Sequence, residues 1–366
     1  MLVEQSRVER NIERMQDVAS AHGVRLRPHS KTHKSPSLAR LQIARGAVGI
    51  CCAKLGEAEV FAEAGIDDIR IPYPLNPVNA DRLIALLDRA HMSFIVDHAA
   101  VARGWSDAMQ RAEREVDVLV KVDVGFHRCG INPEGAGAAE FVAAVAALPG
   151  LRFKGLLSHA GQAYGALSDD EVAGVAGAEA RLLASLAQRV RDRGVPVEEI
   201  SVGATPTARF SAKEPGITEL RPGNYIYYDR MQVALGAATW GDCALTVLAR
   251  VMTTHPDRII LDCGSKTLTT DQARGPGNPA GYGVVMTTLD ATAPDESILI
   301  ERLSEEHATV KPSPSVRPTA ALRPGDLVRV VPNHSCVVSN LVDQVWLVAG
   351  DEVVDRIDVS ARGQIA

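Results

Sequence analysis

The chain lacks several features that would place it quickly, and each absence excludes something. It has no run of about 18 apolar residues, so no helix is expected to span a membrane. Its opening Met1-Leu2-Val3-Glu4-Gln5 has no apolar core of the signal-peptide kind. Six cysteines occur, none with C-x-x-C spacing, and most lie in apolar runs where cysteine behaves as a small hydrophobe. A disulfide framework is therefore not expected, and a reducing cytoplasm is the expected location. Positive charge is not in excess: the formal net charge is -6, which argues against a nucleic-acid partner because phosphate binding leaves a basic footprint. No G-x-G-x-x-G follows the first expected strand, which counts against an open dinucleotide-binding sheet.

What is present reads as a globular enzyme-sized protein. At roughly 100–200 residues per domain, 366 residues suggest two or three domains. With 46% apolar and 23% charged residues, the composition supports a sizeable core. From residue 24 the pattern alternates strand and helix, with strands expected at 24–28, 46–51, 68–72, 93–97, 116–123, 153–157, 199–202 and 219–228. The valine-rich run 116–123 predicts burial on both faces. Helical stretches fall at 56–64, 79–90 and 171–194, and the first helix is expected to begin almost at Met1. About eight β/α units fit a TIM-type (β/α)8 barrel, with the open doubly wound sheet as the alternative. After about residue 236 short strands replace the alternation, at 244–252, 258–262, 283–288, 297–300, 327–331, 345–348 and 352–359. They are separated by turns such as Gly275-Pro276-Gly277 and Arg323-Pro324-Gly325. The fold class expected is α/β, a barrel domain at 1–236 followed by a mostly β domain at 237–366.

In such a barrel the site lies on loops after the C-terminal ends of the strands, and the unusual residues gather there. Lys31 follows strand one, in Arg27-Pro28-His29-Ser30-Lys31-Thr32-His33-Lys34. Arg128 follows strand five, and His159 and Tyr164 follow strand six. Gly203-Ala204-Thr205-Pro206-Thr207 follows strand seven, and Arg221-Pro222-Gly223-Asn224-Tyr225 lies at strand eight. The last two segments suit a phosphate cradle: glycine admits close backbone approach, Thr205 offers a hydroxyl, and backbone N–H groups can point at an anion. Each could also be a plain turn. Lys31 is flanked by histidines and a second lysine, and a lysine among cations can have a depressed pKa that favours Schiff-base chemistry. A solvated basic loop is the bland reading, and Lys34 is the rival for the cofactor lysine. Near the far end, His334 and Cys336 lie two apart on a segment expected to be extended, so both side chains can face one way. Imidazole and thiolate suit zinc, against the alternative of a loop histidine beside a buried cysteine. Glu305-Glu306-His307 forms a further polar cluster, equally readable as a solvated turn.

The ordered set R-P-H-x-K-T-H-K, G-E-A-E-V (56–60), D-x-G-x-x-R-C-G (123–130), H-A-G-x-x-Y (159–164), G-x-T-P-T (203–207), R-P-G-N-Y (221–225) and P-N-H-S-C (332–336) runs almost end to end. It resembles the D-threonine aldolase / D-serine dehydratase family, fold-type III pyridoxal-phosphate (PLP) enzymes with an alanine-racemase-like barrel and a C-terminal β domain. The resemblance implies that Lys31 holds PLP as a Schiff base, with Arg128 near its phenolic oxygen and Tyr164 near its pyridine nitrogen. Gly203, Ala204, Thr205, Gly223 and Asn224 would hold the phosphate, and His334 and Cys336 a divalent metal, zinc, manganese or magnesium. Some aldolases of the family have aspartate at the position of Cys336, so cysteine leans towards the dehydratases, or towards zinc. The expected activity is a lyase on D-3-hydroxy-amino acids. Retro-aldol cleavage, with His159 as one choice of base, stands beside D-serine or 3-hydroxy-D-aspartate dehydration, an amino-acid racemase, and a non-catalytic PLP-binding protein. A homodimer is implied by the same resemblance.

Overall fold

The computed structural model describes residues 1–273, 279–312 and 322–366; the Gly275-Pro276-Gly277 turn lies outside them. All eight expected barrel strands form, and all pair in parallel. They are Arg25–Leu26 (β1), Ile50–Cys51 (β2), Asp68–Pro74 (β3), His91–Val96 (β4), Val116–Lys121 (β5), Leu151–Leu157 (β6), Glu199–Val202 (β7) and Glu219–Leu220 (β8). Their order is β1-β8-β7-β6-β5-β4-β3-β2. The two ends of that series, β1 and β2, are joined by a parallel bridge between His29 and Cys51, so the ring closes as a (β/α)8 barrel. β5 is buried along its whole length, as its valines predict, and that burial takes in Asp117 and Lys121 as well. β8 is shorter than expected: only Glu219–Leu220 is strand, and Asn224–Ile226 turns as a 3-10 helix. Pro222 explains the early stop, because it has no N–H to give a neighbouring strand.

The barrel interior is not wholly apolar. Ile95, Leu119 and Leu157 form a buried apolar cluster, but β1, β3, β7 and β8 add a buried ion network. Arg27 donates to Glu219 at 2.9 Å and to Asp68 at 2.6 Å, and Arg70 donates to Glu219 and to Glu199. Burial alone would push the Glu219 carboxyl up, yet Arg70 and Arg27 hold it at about 2. The charges are therefore paired, as buried ions must be.

The rest of the chain builds a mostly β architecture. Its strands are Leu245–His255 (β9), Arg258–Leu261 (β10), Val284–Met286 (β11), Ile298–Leu303 (β12), Ala308–Pro312 (β13), Leu327–Val331 (β14), Gln344–Ala349 (β15) and Glu352–Asp358 (β16). The only helices among its described residues past 244 are Ser265–Leu268 and Ser335–Ser339. Two strands were not anticipated. β13 pairs antiparallel with β10 and β12. Leu2–Glu4 is a strand, not the start of a helix: it pairs antiparallel with Thr246 and Leu245 and parallel with Trp346–Val348. A three-residue strand has too few side chains to show a period, so only its partners reveal it. The helix begins at Gln5 and runs to Ser20, burying Val8, Ile12, Met15 and Ala19, which is helical spacing.

By contacts the chain forms two compact units. One comprises Met1–Arg14, Tyr164–Asp169 and Asn224–Arg362, and the other Met15–Ala163, Asp170–Gly223 and Gly363–Ala366. No helix among the described residues is long and apolar enough to cross a membrane.

Candidate active site

In the barrel unit, Lys31 lies in the 3-10 turn Ser30–Thr32 directly after β1, exposed. Its backbone N–H donates to Nδ1 of His29 at 3.4 Å. The rival Lys34 is buried, has a left-handed φ of 50°, and pairs through Nζ with the buried Glu57 carboxylate at 3.1 Å. A lysine committed to a buried carboxylate is a poor amine nucleophile, whereas Lys31 stands on the loop where barrel chemistry is placed.

His159 follows β6. Its Nδ1 contacts the carbonyl of Gly203, and a carbonyl can only accept, so Nδ1 carries the proton and Nε2 is the basic atom. Burial, then the charges of Lys31, Lys121 and Arg128, push its pKa well below the usual histidine value. His29 is lowered in the same way by burial and then by Lys31, Arg221 and His159. Both rings are therefore neutral. Arg128 is exposed, its guanidinium 5.2 Å from the Phe126 ring centre, and that ring meets His159 edge-on at 5.7 Å. A cationic rim thus surrounds Lys31 and His159, as an anionic ligand needs.

The proposed cradle fits a phosphate on one observation. Thr205 Oγ1 is buried with no hydrogen-bond partner among the described residues, an arrangement that asks for an acceptor from outside the chain. A Cβ on Gly223 would come within 3.0 Å of the His29 carbonyl oxygen and 3.1 Å of Thr32 Oγ1, and one on Gly203 within 3.1 Å of Arg221 Nη2. Both glycines therefore let these loops pack closely where a side chain would crowd the neighbouring protein atoms. Ala204 lies in the loop between them and Thr205, buried.

Several participants were not anticipated. Lys121, the last residue of β5, is buried, and burial followed by the nearby Arg221 lowers its pKa to about 7. Glu179 on the helix Asp169–Arg191 is fully buried, accepts from Ser158 Oγ, and is raised by burial to about 7. Arg221, by contrast, belongs to the segment already read as part of the cradle; it is buried and donates to the Ser158 carbonyl and to Ser201 Oγ. The one available signal was a charged residue inside an otherwise apolar strand or helix face.

The other unit brings His334, Cys336 and Asn224 together. The segment is not extended throughout: His334 is extended (φ -141°, ψ 99°) and heads the helix Ser335–Ser339, so Cys336 sits on a first helical turn. The ring and the thiol meet there because the chain turns, not because strand residues alternate. His334 Nδ1 lies 2.7 Å from Asp271 Oδ2. Although burial opposes it, the Cys336 thiol and the Asp271 carboxylate raise His334 to about 10. The Asn224 side-chain amide donates to Asp229 Oδ2, to Ser335 Oγ at 3.1 Å and to Cys336 Sγ at 3.5 Å, so this side chain serves the His334–Cys336 turn. Asp229 is fully buried and also accepts from the Ser335 backbone at 2.9 Å. Tyr164 belongs to the same unit and its hydroxyl accepts from Gln232 Nε2 at 3.4 Å. Glu305 and Glu306 pair with Lys266 on an exposed turn, which is the solvated reading of that cluster. Among the described residues, no three His, Cys, Asp or Glu side chains converge as a metal cluster.

A (β/α)8 barrel with a lysine on the loop after its first strand, followed by a mostly β region, is an alanine-racemase-like fold. The chain belongs to the alanine racemase N-terminal domain family of PLP enzymes, whose model matches residues 3–231, and a serine dehydratase domain matches residues 244–348. It is 37% identical over 365 residues to a D-threonine aldolase of Arthrobacter sp., covering 97% of this chain and 90% of that protein. Among solved structures it is similar to a D-threonine aldolase from Filomicrobium marinum, with a TM-score of 0.87, 32% identity, and coverage of 100% of this chain and 95% of that chain. It is also similar to a cysteine-to-alanine variant of D-threo-3-hydroxyaspartate dehydratase in the metal-free form. There the TM-score is 0.91, the identity 28%, and the coverage 98% and 96%. The relatives are lyases of both carbon–carbon and carbon–oxygen type.

Proposed function

We propose that the protein is a PLP-dependent lyase of D-3-hydroxy-amino acids, cleaving D-threonine-like substrates to glycine and an aldehyde. The observation that carries this reading is the choice between two lysines: Lys34 is locked to buried Glu57, while Lys31 is exposed on the loop after β1. End-to-end likeness to a D-threonine aldolase supports the reaction class. Lys31 would hold the cofactor. Gly203, Ala204, Thr205, Gly223 and Asn224 would hold its phosphate, the last through its backbone. Arg128 and Tyr164 would address the ring. When bound, PLP supplies the electron sink that either lyase reaction needs.

His159 is proposed as the base for the substrate hydroxyl. Its neutral ring offers Nε2 as acceptor, and the surrounding cations keep it unprotonated at neutral pH. His334 and Cys336 are proposed to hold a divalent metal, zinc before manganese or magnesium, because their nitrogen and sulfur donors suit it. A metal there supplies Lewis-acid polarisation of an oxygen. The cofactor is assigned to a domain at 1–236 and the metal to one at 237–366. Six free cysteines support a cytoplasmic location, and we read the enzyme as a homodimer.

Dehydration of D-serine or 3-hydroxy-D-aspartate is the second reading, favoured by Cys336 and by likeness to a dehydratase. The test is a product assay on D-threonine with and without added metal. Glycine and acetaldehyde are expected. Formation of 2-oxobutanoate and ammonia in their place assigns the protein to the dehydratases, and L-allo-threonine alone, the product of inversion at the α-carbon, would make it a racemase. Turnover unaffected by EDTA would overturn the metal assignment.

A further inference from the structure

We propose that Asp271 is a positioning residue for the metal-binding histidine, holding Nδ1 of His334 so that Nε2 is the ligand atom. The inference rests on the reading of His334 and Cys336 as metal ligands. An ionised carboxylate can only accept, so the 2.7 Å contact from His334 Nδ1 to Asp271 Oδ2 makes Nδ1 the donor. The lone pair of the neutral ring is then on Nε2. The Cys336 thiol acts on the same ring, and with Nδ1 committed to Asp271 the nitrogen left for a ligand is Nε2. Nε2 and the Cys336 thiol are therefore the donors left for a metal, with Asp271 held on the other ring nitrogen.

Asp271 is not a third ligand, because among the described residues it does not converge with His334 and Cys336 into a three-donor cluster. Its place is fixed independently of the ring. Asn333, immediately before His334, is buried, and its amide donates to the Asp271 carbonyl at 3.2 Å and to the Gly281 carbonyl at 2.9 Å. The two residues are thus tied by backbone and by side chain across 63 positions of sequence. From the other side, Asp229 fixes the turn by accepting from the Ser335 N–H. A carboxylate that orients a ligating imidazole and strengthens its basicity is the outer partner such histidines require.

The test uses the full-length protein loaded with PLP, stripped of metal by chelation and titrated with zinc against a chromophoric chelator. Asp271→Asn keeps the side-chain shape while removing the charge, and Asp271→Ala removes both. Zinc affinity is expected to fall about 10–100-fold in Asp271→Asn and at least as far in Asp271→Ala. Cofactor absorbance should match the parent, while the melting temperature of the metal-free protein should fall modestly because the His334–Asp271 contact is lost. Wild-type zinc affinity in both Asp271 variants overturns the proposal. If His334→Ala also binds zinc like the parent, the metal-pair reading is the one that fails. Should Asp271→Ala not fold, Asp271→Asn alone decides.

Discussion

His159 and His334 are the same side chain in opposite surroundings. His159, in the barrel unit, is ringed by Lys31, Lys121 and Arg128 and is driven well below the ordinary histidine pKa. His334, in the other unit, faces Cys336, Asp271 and Asp229 and is driven up to about 10. Both are partly buried and burial pushes both down; at His159 the neighbouring cations add to it, and at His334 the neighbouring anions overcome it. The cationic surroundings fit an anionic cofactor and a neutral base. The anionic surroundings fit a cation. Two regions of one chain thus hold surroundings of opposite charge, and His91 repeats the second case where no ligand is proposed, between Asp117 and Asp68.

The comparison breaks most completely at Lys31. Lys31→Ala should lose the visible absorbance of lysine-bound cofactor and drop turnover by several orders of magnitude. A retained band in that variant, lost instead in Lys34→Ala, would move the cofactor three residues along the loop. His159→Asn should lower kcat by about 10²–10⁴-fold with cofactor binding intact. Because the His159 pKa is depressed, the wild-type rate should show no histidine limb between about pH 6 and pH 8. A His159-dependent limb in that range would mean that the cationic rim does not act on this ring as described.

Lys34→Met should leave the cofactor band in place but cost about 3–5 kcal/mol of stability, since it strands buried Glu57 without its partner. Chemical denaturation reads this, and an undiminished midpoint would show the pair to be dispensable. The smallest effect is expected at His91, half exposed. Hydrogen bonds to Asp117 and then Asp68 raise it to about 9. A raised histidine contributes stability that is complete below its unfolded pKa and is lost as pH rises through the folded one. His91→Gln should therefore lower the melting temperature at about pH 6 and be nearly silent at about pH 10. A deficit that does not shrink with pH would assign the loss to packing, not charge.

Much of the barrel was legible because its signals are local. Strand alternation, the buried valines of β5 and the glycine-rich segments after strands seven and eight each declare themselves within a few residues. Lys31 was legible as the candidate, being nearer the barrel mouth, but the pairing of Lys34 was not, because Glu57 lies 23 positions further on. Asp271, Glu179 and Lys121 escaped for the same reason: an acid or a lysine has no distinguishing pattern until its partner is known. The Leu2–Glu4 strand escaped because its partners, Leu245–Thr246 and Trp346–Val348, are more than 240 residues away.

By itself the sequence determined the class of fold, the loops that bear chemistry and the residue types available there, since hydrophobic period and turn chemistry are short-range properties. Only the tertiary structure decided the charge state of each histidine, which lysine is committed to a carboxylate, and that His334 is held by an aspartate from a distant loop. Those outcomes depend on burial and on charges within a few ångströms, and distance in space is what a linear pattern does not carry.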